Sequence, residues 1–210
     1  GYWPAKQGRD ALKVEWDTSA VGKPDSTALL AQYRELATKP GLVAMQADMA
    51  PLAGAAHKIS AEFVFPYLAH APMEPLNCTI QLDGDKAELW MGTQMPGLDA
   101  MAAAQTLGLP PQNIQVHTQM AGGGFGRRAI PSSDYVVEAC GVAKAVRTAG
   151  ISAPVRTLWS REDDIKGGYY RPMHVHRAEI GFDAKGRILA WDHTIVGQSI
   201  IKGSPFEAFM

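Results

Sequence analysis

The sequence is organised around one glycine-rich stretch, the glycine turn, which reads Gly122-Gly123-Gly124-Phe125-Gly126-Arg127-Arg128. Four of its first five residues lack a β-carbon, so the backbone can adopt positive φ and another molecule can approach it closely. Successive N–H groups in such a turn can form a concave nest for anions, and the two arginines add donors suited to phosphate oxygens. A strand is predicted before the turn, over 113–120, and a helix after it, over 132–149. This order of elements predicts a site that holds a cofactor.

The composition limits what the chain can do. Its 210 residues suit one core, or one domain plus part of another. Hydrophobic residues make up 46% and charged residues 20%, and the net charge of −1 argues against nucleic-acid binding. The two cysteines, Cys78 and Cys140, cannot by themselves ligate an iron–sulfur cluster or a structural zinc. No apolar run reaches the ~20 residues that span a bilayer.

Hydrophobic alternation and turn residues predict a chain rich in hairpins. One hairpin is predicted over 78–92 and a longer one over 174–197. Further strands are predicted over 11–16, 42–45, 59–65 and 154–159. Helices are predicted through Leu36 after an N-cap at Asp25 or Ser26, over 98–107, over 132–149 and, as a short turn, over 161–164. Because strands and helices mix without a strict β-α-β-α order, the predicted class is α+β, with mixed, hairpin-rich sheets and flanking helices.

One alternative for the glycine turn is a nicotinamide-binding unit. Residues 124–129 match the G-x-G-x-x-G/A pattern of a dinucleotide-binding fold. The helix, however, is predicted to start after the motif rather than inside it. The acidic residue expected ~20 residues further on is missing, because Ala149 and Gly150 stand there. On the residues alone, a nicotinamide-dependent oxidoreductase domain and a plain surface loop both stay open.

Four ordered stretches together carry a family resemblance. They are the proline loop His70-Ala71-Pro72-Met73-Glu74-Pro75, then Trp90-Met91-Gly92-Thr93-Gln94, then the glycine turn, and last Leu158-Trp159-Ser160-Arg161-Glu162-Asp163-Asp164. In their order and spacing the chain resembles the large, molybdenum-binding subunit of the xanthine oxidase family of molybdenum hydroxylases. Within that family it is most similar to isoquinoline 1-oxidoreductase beta subunits and to the membrane-associated aldehyde dehydrogenases of bacteria.

The resemblance implies chemistry that is carried by a cofactor and oriented by the protein. The implied cofactor is molybdopterin cytosine dinucleotide with molybdenum, held without a metal ligand from any side chain. The implied reaction oxidises a small-molecule aldehyde or N-heterocycle with oxygen derived from water. Electrons are then expected to pass to a separate [2Fe-2S] subunit and a cytochrome c subunit. A bacterial protein, periplasmic or membrane-associated, is expected, with a cytoplasmic location as the alternative.

The resemblance also divides the chain. Residues 1–56 are expected to be the C-terminal part of an adjoining α/β domain plus a linker, and residues 57–210 the first part of the molybdopterin-binding domain. The general-base glutamate of the family lies near the C-terminus of its large subunit, and no stretch here matches it. We therefore expect a piece of a longer enzyme that is inactive and without cofactor on its own. A non-catalytic interaction module stays the alternative.

Position by position, the resemblance assigns roles to the residues of the site. Gln94 matches the family glutamine whose amide hydrogen-bonds an oxo ligand of molybdenum. Phe125 and Gly126 match the loop that lies against the metal centre, and the glycines before them permit that approach. Arg127 and Arg128 replace the more usual glycine and lysine. At least one of them is expected to face the cofactor or phosphate, with a solvated or structural ion pair as an equal alternative.

Three further features complete these expectations. His70 and Glu74 match a family His-x-x-x-Glu, for which a proton relay and an internal hydrogen bond that fixes the proline loop are both open. Ala129 stands where xanthine-oxidising members carry a glutamate that grips the purine, so an aldehyde or an uncharged N-heterocycle is expected instead. His174 and His176 lie two apart on one strand face, a spacing that can chelate a metal. Without a third ligand nearby in the sequence, solvent exposure is the prediction for this pair.

Overall fold

The computed structural model describes residues 1–204 and 206–209. The α-helices of this part are α1 (Tyr2–Ala11), α2 (Ser26–Leu36), α3 (Ala50–Ala53), α4 (Pro96–Leu107), α5 (Asp134–Thr148) and α6 (Arg161–Lys166). The strands are β1 (His57–Phe65), β2 (Leu68–Ala69), β3 (Asn77–Asp83), β4 (Lys86–Met91), β5 (Ile114–Thr118), β6 (Val155–Leu158), β7 (Tyr170–Arg171), β8 (His174–Phe182) and β9 (Ile188–Gly197). Single turns of 3₁₀-helix are formed by Pro111–Asn113, Arg127–Ala129 and Glu207–Phe209.

A four-stranded sheet with the order β5-β4-β3-β6 leads into the glycine turn. Strands β3 and β4 form an antiparallel hairpin, β6 pairs antiparallel with β3, and β5 pairs parallel with β4. A parallel pair needs a crossover connection, and α4 supplies it. Inward-facing side chains of the sheet pack against α4 and α5, because alternate residues of a strand point to the same face. The buried members of this core are Leu76, Cys78, Ile80, Ala87, Leu89, Met91, Ala103, Tyr135, Val136, Ala139, Cys140 and Ala143.

A second sheet has three antiparallel strands in the order β1-β8-β9. The β8–β9 hairpin closes through a turn in which Gly186 has a φ of +78° and Asp183 accepts hydrogen bonds from the N–H groups of residues 185 and 187. Helix α2 packs on this sheet through Tyr33, which joins Met173 and Val175 in a small core. Two-residue strands β2 and β7 pair antiparallel beside it.

The α+β class with hairpin-rich sheets is confirmed, and most predicted elements are found within a few residues of their expected bounds. The strands predicted over 11–16 and 42–45 are wrong. Both stretches lack a partner strand, and Trp16 and Leu42 are exposed. Helix α1 was not predicted; its first residues carry no capping side chain and none of its residues is buried. No helix in the described part of the chain has the length and apolar character needed to cross a bilayer.

Candidate cofactor-binding site

The glycine turn connects β5 to α5 and folds back against the end of β4. Three of its residues have positive φ: +102° at Gly123, +55° at Phe125 and +94° at Gly126. Glycine adopts this region freely, whereas another residue there costs on the order of 1–2 kcal/mol. Phe125 is nevertheless 77% exposed, so packing within the described chain offsets little of this strain. Strain held at an exposed residue is a feature of sites that bind another molecule.

The backbone N–H groups of the turn fall into two sets. At the ends they are paired: Gly122 donates to Oε2 of Glu74 at 2.8 Å, and Arg128 donates to Oε1 of Gln94 at 3.2 Å. Between these ends, the N–H of Arg127 donates to the carbonyl of Gly124 at 2.9 Å. The four N–H groups of residues 123–126 have no acceptor among the described residues. Successive unpaired donors on a surface turn are suited to the oxygen atoms of a bound group.

Gln94 lies where β4 passes into α4, and the structure brings it to the glycine turn. Its N–H donates to the carbonyl of Arg128 at 3.2 Å, while its side-chain Oε1 accepts from the N–H of Arg128 at 3.2 Å. Because a backbone N–H can only donate, this contact identifies the oxygen of the amide. Gln94 is exposed, and its Nε2 is left as a donor with no acceptor in the described part of the chain. The fit is close, since a β-carbon on Gly124 would lie 2.8 Å from Oε1 of Gln94.

The Arg128 side chain is buried behind the turn and ties three segments together. Its Nε donates to the carbonyl of Gly123 at 2.9 Å, and Nη1 donates to the carbonyl of Gly92 at 3.2 Å. Its Nη2 donates to both the carbonyl oxygen and Oε2 of Glu74, each at 3.0 Å. The hydroxyl of Tyr135 also donates to the Gly92 carbonyl, at 3.1 Å. The glycine turn, the end of β4 and the proline loop are therefore held by one guanidinium group.

Arg127 is also buried, but it faces the start of α5. Its guanidinium group forms a two-bond ion pair with Asp134, at 2.9 and 2.7 Å. The guanidinium carbon lies 5.3 Å from the ring centre of Trp159 and 5.8 Å from that of Tyr169, which adds cation–π attraction. Both arginines thus have partners within the chain, in line with the structural alternative. Direct contact of Arg127 or Arg128 with a cofactor stays a prediction.

Glu74 fixes the proline loop to the glycine turn. Its carboxylate accepts from the Gly122 N–H, from Arg128 and, through Oε1, from Nδ2 of Asn77 at 2.9 Å. Burial by itself would raise the pKa of this carboxyl group. The hydrogen bonds from Gly122 and Asn77 and the charge of Arg128 outweigh burial, so the pKa lies below its ordinary value. Glu74 is therefore ionised at neutral pH.

His70 does not pair with Glu74 among the described contacts. Its Nδ1 is buried without a hydrogen-bond partner. Burial and the positive charge of Arg127 lower the pKa of the imidazole, and a hydrogen bond with the backbone of Tyr169 offsets only part of this. The sequence left open a proton relay and a hydrogen bond that fixes the proline loop. In the described structure Glu74 fixes the loop, and no His70–Glu74 relay is present.

Three histidines meet on the sheet of β1, β8 and β9. The register of the strands brings Nε2 of His193 to 3.2 Å from Nδ1 of His176, and the ring of His174 lies 6.0 Å from that of His176. His193 was not predicted as a neighbour, because the contact depends on the pairing of two strands. No group of three His, Cys, Asp or Glu residues in the described ranges is placed to hold a metal ion.

Arg161 had no assigned role in the sequence analysis, but it holds the proline loop. Its Nη2 donates to the carbonyls of Pro72 and Met73, and Nη1 pairs with Asp164 at 2.7 Å. Arg161 belongs to one of the four ordered stretches, but the two carbonyls that it binds lie 89 and 88 residues away. No local pattern could have identified them.

The model of the molybdopterin cofactor-binding domain family matches residues 37–202. The chain belongs to this family. The match includes the proline loop, Gln94 and the glycine turn, and it confirms the resemblance to the molybdenum hydroxylases. It also favours the molybdenum interpretation over the nicotinamide alternative.

Relatives within the family are much longer than this chain. The chain is 40% identical over 131 residues to the beta subunit of isoquinoline 1-oxidoreductase of Brevundimonas diminuta, covering 61% of this chain and 16% of that protein. It is 29% identical over 196 residues to a membrane-bound aldehyde dehydrogenase (pyrroloquinoline-quinone) of Gluconacetobacter polyoxogenes, covering 91% of this chain and 25% of that protein. The structure of quinoline 2-oxidoreductase from Pseudomonas putida 86 matches with a TM-score of 0.56 at 25% identity, covering 70% of this chain and 18% of that chain. The chain thus spans at most 25% of the length of these relatives.

The residues of the site are chemically compatible with the cofactor of this family. The donors on the surface are N–H groups, from residues 123–126 and from Gln94, which suit anionic oxygen atoms. The space beside Gly126 is open, because a β-carbon there would meet no atom within 4 Å. A cofactor that brings its own metal requires no ligand from a side chain, and donors of this kind would hold it.

Proposed function

We propose that the chain forms part of the cofactor-binding region of a molybdenum hydroxylase that oxidises an aldehyde or an N-heterocycle. The observation that carries this proposal is the row of four N–H groups at 123–126, next to Nε2 of Gln94, all without an acceptor in the part of the chain that the structure describes. The two hydrogen bonds that Gln94 exchanges with Arg128 keep the amide beside this row. Preorganised donors aimed at a region where negative charge develops are a major source of catalysis.

In this proposal the chain binds the cofactor and orients it. The backbone of Gly122 to Gly126 lies against the cofactor, and Nε2 of Gln94 donates a hydrogen bond to one of its oxygen atoms. The molybdenum cofactor, when bound, supplies the two-electron oxidation, with the inserted oxygen derived from water. Phe125, whose side chain is exposed at the turn, is proposed to lie beside the bound cofactor.

The names of the relatives and the side chain of Ala129 support an aldehyde or N-heterocycle as the substrate. The relatives are named for the oxidation of isoquinoline and of aldehydes. Ala129, directly after the glycine turn, is half-buried and offers no charged or hydrogen-bonding side chain. An uncharged aldehyde or N-heterocycle therefore suits this site better than a purine that needs a charged partner.

The remaining parts of the proposed enzyme lie outside these residues. Because the chain spans 16–25% of its relatives, further segments are proposed to complete the pocket and to supply the general base. Residues 1–56 are assigned to the end of an adjoining α/β domain plus a linker, and 57–210 to the first part of the molybdopterin-binding domain. Electrons are proposed to leave through a [2Fe-2S] subunit and a cytochrome c subunit, in a periplasmic or membrane-associated bacterial enzyme.

Metal and nucleotide analysis of the full-length protein tests this function. We expect molybdenum in stoichiometric amount, and cytidine monophosphate on acid hydrolysis if the cofactor is the cytosine dinucleotide. The 210-residue chain alone is expected to carry no molybdenum, since a ligand of this size needs walls from several segments. A full-length protein that is folded, matured in a molybdopterin-producing host and still free of molybdenum would refute the proposal. A different nucleotide would refute only the cytosine form.

A further inference from the structure

Two charged side chains connect the glycine turn to the segments behind it. The Arg128 side chain has no exposed surface. Three of its hydrogen bonds go to main-chain carbonyls, those of Gly92, Gly123 and Glu74. Bonds to carbonyl oxygens fix the course of the backbone itself, so the position of the turn depends on this guanidinium group.

Glu74 completes the arrangement from the other side. Its N–H donates to the carbonyl of Gly122 at 3.0 Å, and its Oε2 accepts from the N–H of Gly122 at 2.8 Å. The same Oε2 pairs with Nη2 of Arg128 at 3.0 Å. A buried guanidinium group without its carboxylate is strongly unfavourable, so the two residues are placed as a unit.

The pair controls both ends of the row of free N–H groups. Gly122, just before the row, is bonded to Glu74, and Arg128, two residues after it, carries the N–H that holds Gln94. We propose that Glu74 and Arg128 are positioning residues, which set the direction of the N–H groups at 123–126 and of the Gln94 amide before the cofactor binds. This inference rests on the proposed function, because that row is the surface assigned to the cofactor.

A carboxylate is required at position 74, and an amide of the same shape does not replace it. Both oxygens of Glu74 accept from N–H donors: Oε1 from Asn77, and Oε2 from Gly122 and Arg128. In Glu74→Gln the new NH₂ group faces a donor in either orientation. Asn77 cannot simply turn its amide over, because its Nδ2 also donates to the carbonyl of Pro75 at 3.0 Å. The substitution therefore breaks the unit without leaving a cavity.

The test compares Glu74→Gln with Glu62→Gln in the full-length holoenzyme. Glu62 on β1 is a matched control, because its carboxylate also accepts from arginine side chains, those of Arg34 at 2.7 Å and Arg177 at 3.0 Å, away from the glycine turn. Three quantities are measured for each variant: molybdenum content, kcat and KM per molybdenum, and amide hydrogen exchange over 120–129.

We expect Glu74→Gln to keep most of its molybdenum and its KM, while kcat per molybdenum falls about ten- to a hundredfold, the usual effect of losing a residue that orients a site. Exchange at Gly122 and Arg128 should become faster. Glu62→Gln should match the wild type in all three quantities. A residue that only stabilised the fold would not produce this selective loss of kcat together with faster exchange confined to the glycine turn.

Wild-type kcat or unchanged exchange in Glu74→Gln would overturn the inference. If that variant does not accumulate, Glu74→Asp, which keeps the charge but shortens its reach, should show the same changes to a smaller degree, and wild-type behaviour there would be equally decisive. A wild-type protein without molybdenum would instead refute the proposed function. The exchange comparison would then still decide whether the pair orders the turn.

Discussion

Gly124→Ala is expected to displace the Gln94 side chain without straining the backbone. Gly124 is not among the residues with positive φ, so alanine there avoids the left-handed region. The new β-carbon would lie 2.8 Å from Oε1 and 3.1 Å from Cδ of Gln94, closer than real β-carbons pack. The amide must move, and it then loses the 3.2 Å hydrogen bond from the N–H of Arg128.

The size of the effect can be worked out from this contact. Losing a hydrogen bond of this type costs about 0.5–1.5 kcal/mol in the free energy of unfolding. Replacing glycine by alanine at an unstrained position returns about 0.4–1 kcal/mol through the unfolded state. When Gln94→Ala is already present, there is no hydrogen bond to lose, and only the gain from replacing glycine by alanine remains. The two substitutions should therefore couple by about 1 kcal/mol, which corresponds to about 2–4 °C in thermal midpoint for a chain of this size.

Urea or thermal unfolding of the wild type, both single variants and the double variant measures this coupling. Gly141→Ala is the matched control, because a β-carbon at that position on α5 meets no atom within 4 Å. It should stabilise the protein equally with and without Gln94. If the effects of Gly124→Ala and Gln94→Ala add within about 0.5 kcal/mol, the two groups are not in contact and the geometry of the site is wrong.

Three further predictions follow from the same structure. Gln94→Ala in the full-length enzyme should retain molybdenum but lower kcat about a hundred- to a thousandfold, the cost of losing one oriented donor; parallel loss of metal and activity would make the residue structural. Phe125→Gly should raise the free energy of unfolding by about 0.5–1 kcal/mol. The substitution relieves the strain of a left-handed φ of +55°, and the greater entropy that glycine gives the unfolded chain offsets part of this gain. Its activity should fall, and equal stability would show that the turn is unstrained. The ion pair with Arg9, with hydrogen bonds from Ser160, lowers the pKa of Asp163 from 3.8 to about 2, so the stabilisation is complete above about pH 5 and is lost as the pH falls through 2. Arg9→Ala should therefore cost less than ~1 kcal/mol at pH 7, because water screens this exposed pair, and only a small part of that cost at pH 2 in urea unfolding; a difference independent of pH would contradict this.

Elements specified by neighbouring residues could be predicted from the sequence. The helix starting at Ser26 has Asp25 as its cap, and Oδ1 of that residue accepts from the N–H of Ala28 at 2.7 Å. The long hairpin closes through a turn that depends only on its own residues: Asp183 accepts a hydrogen bond within the turn, and Gly186 adopts a positive φ. Alternation alone was insufficient over 11–16, because a strand also needs a partner to pair with.

The contacts that build the candidate site could not be predicted in this way. Gln94 and the glycine turn were identified, but the bond that joins them spans 34 residues. The contacts of Arg128 with Gly92 and Glu74 span 36 and 54 residues. The sequence shows only that an arginine stands at position 128. Its burial behind the turn depends on these long-range contacts, so it could not be predicted from neighbouring residues.

The molybdenum content of Gly126→Ala, measured against that of Gly186→Ala, tests the central claim that the glycine turn lies against the cofactor. The two glycines have similar positive φ, +94° and +78°, and a β-carbon on either meets no atom within 4 Å. Both variants should therefore lose a similar ~1–2 kcal/mol of stability from backbone strain. Only at Gly126 does the new methyl group occupy the space assigned to the cofactor. We predict that the full-length Gly186→Ala enzyme keeps its molybdenum and that Gly126→Ala folds but contains almost none; a Gly126→Ala enzyme with full molybdenum and wild-type activity would contradict the claim.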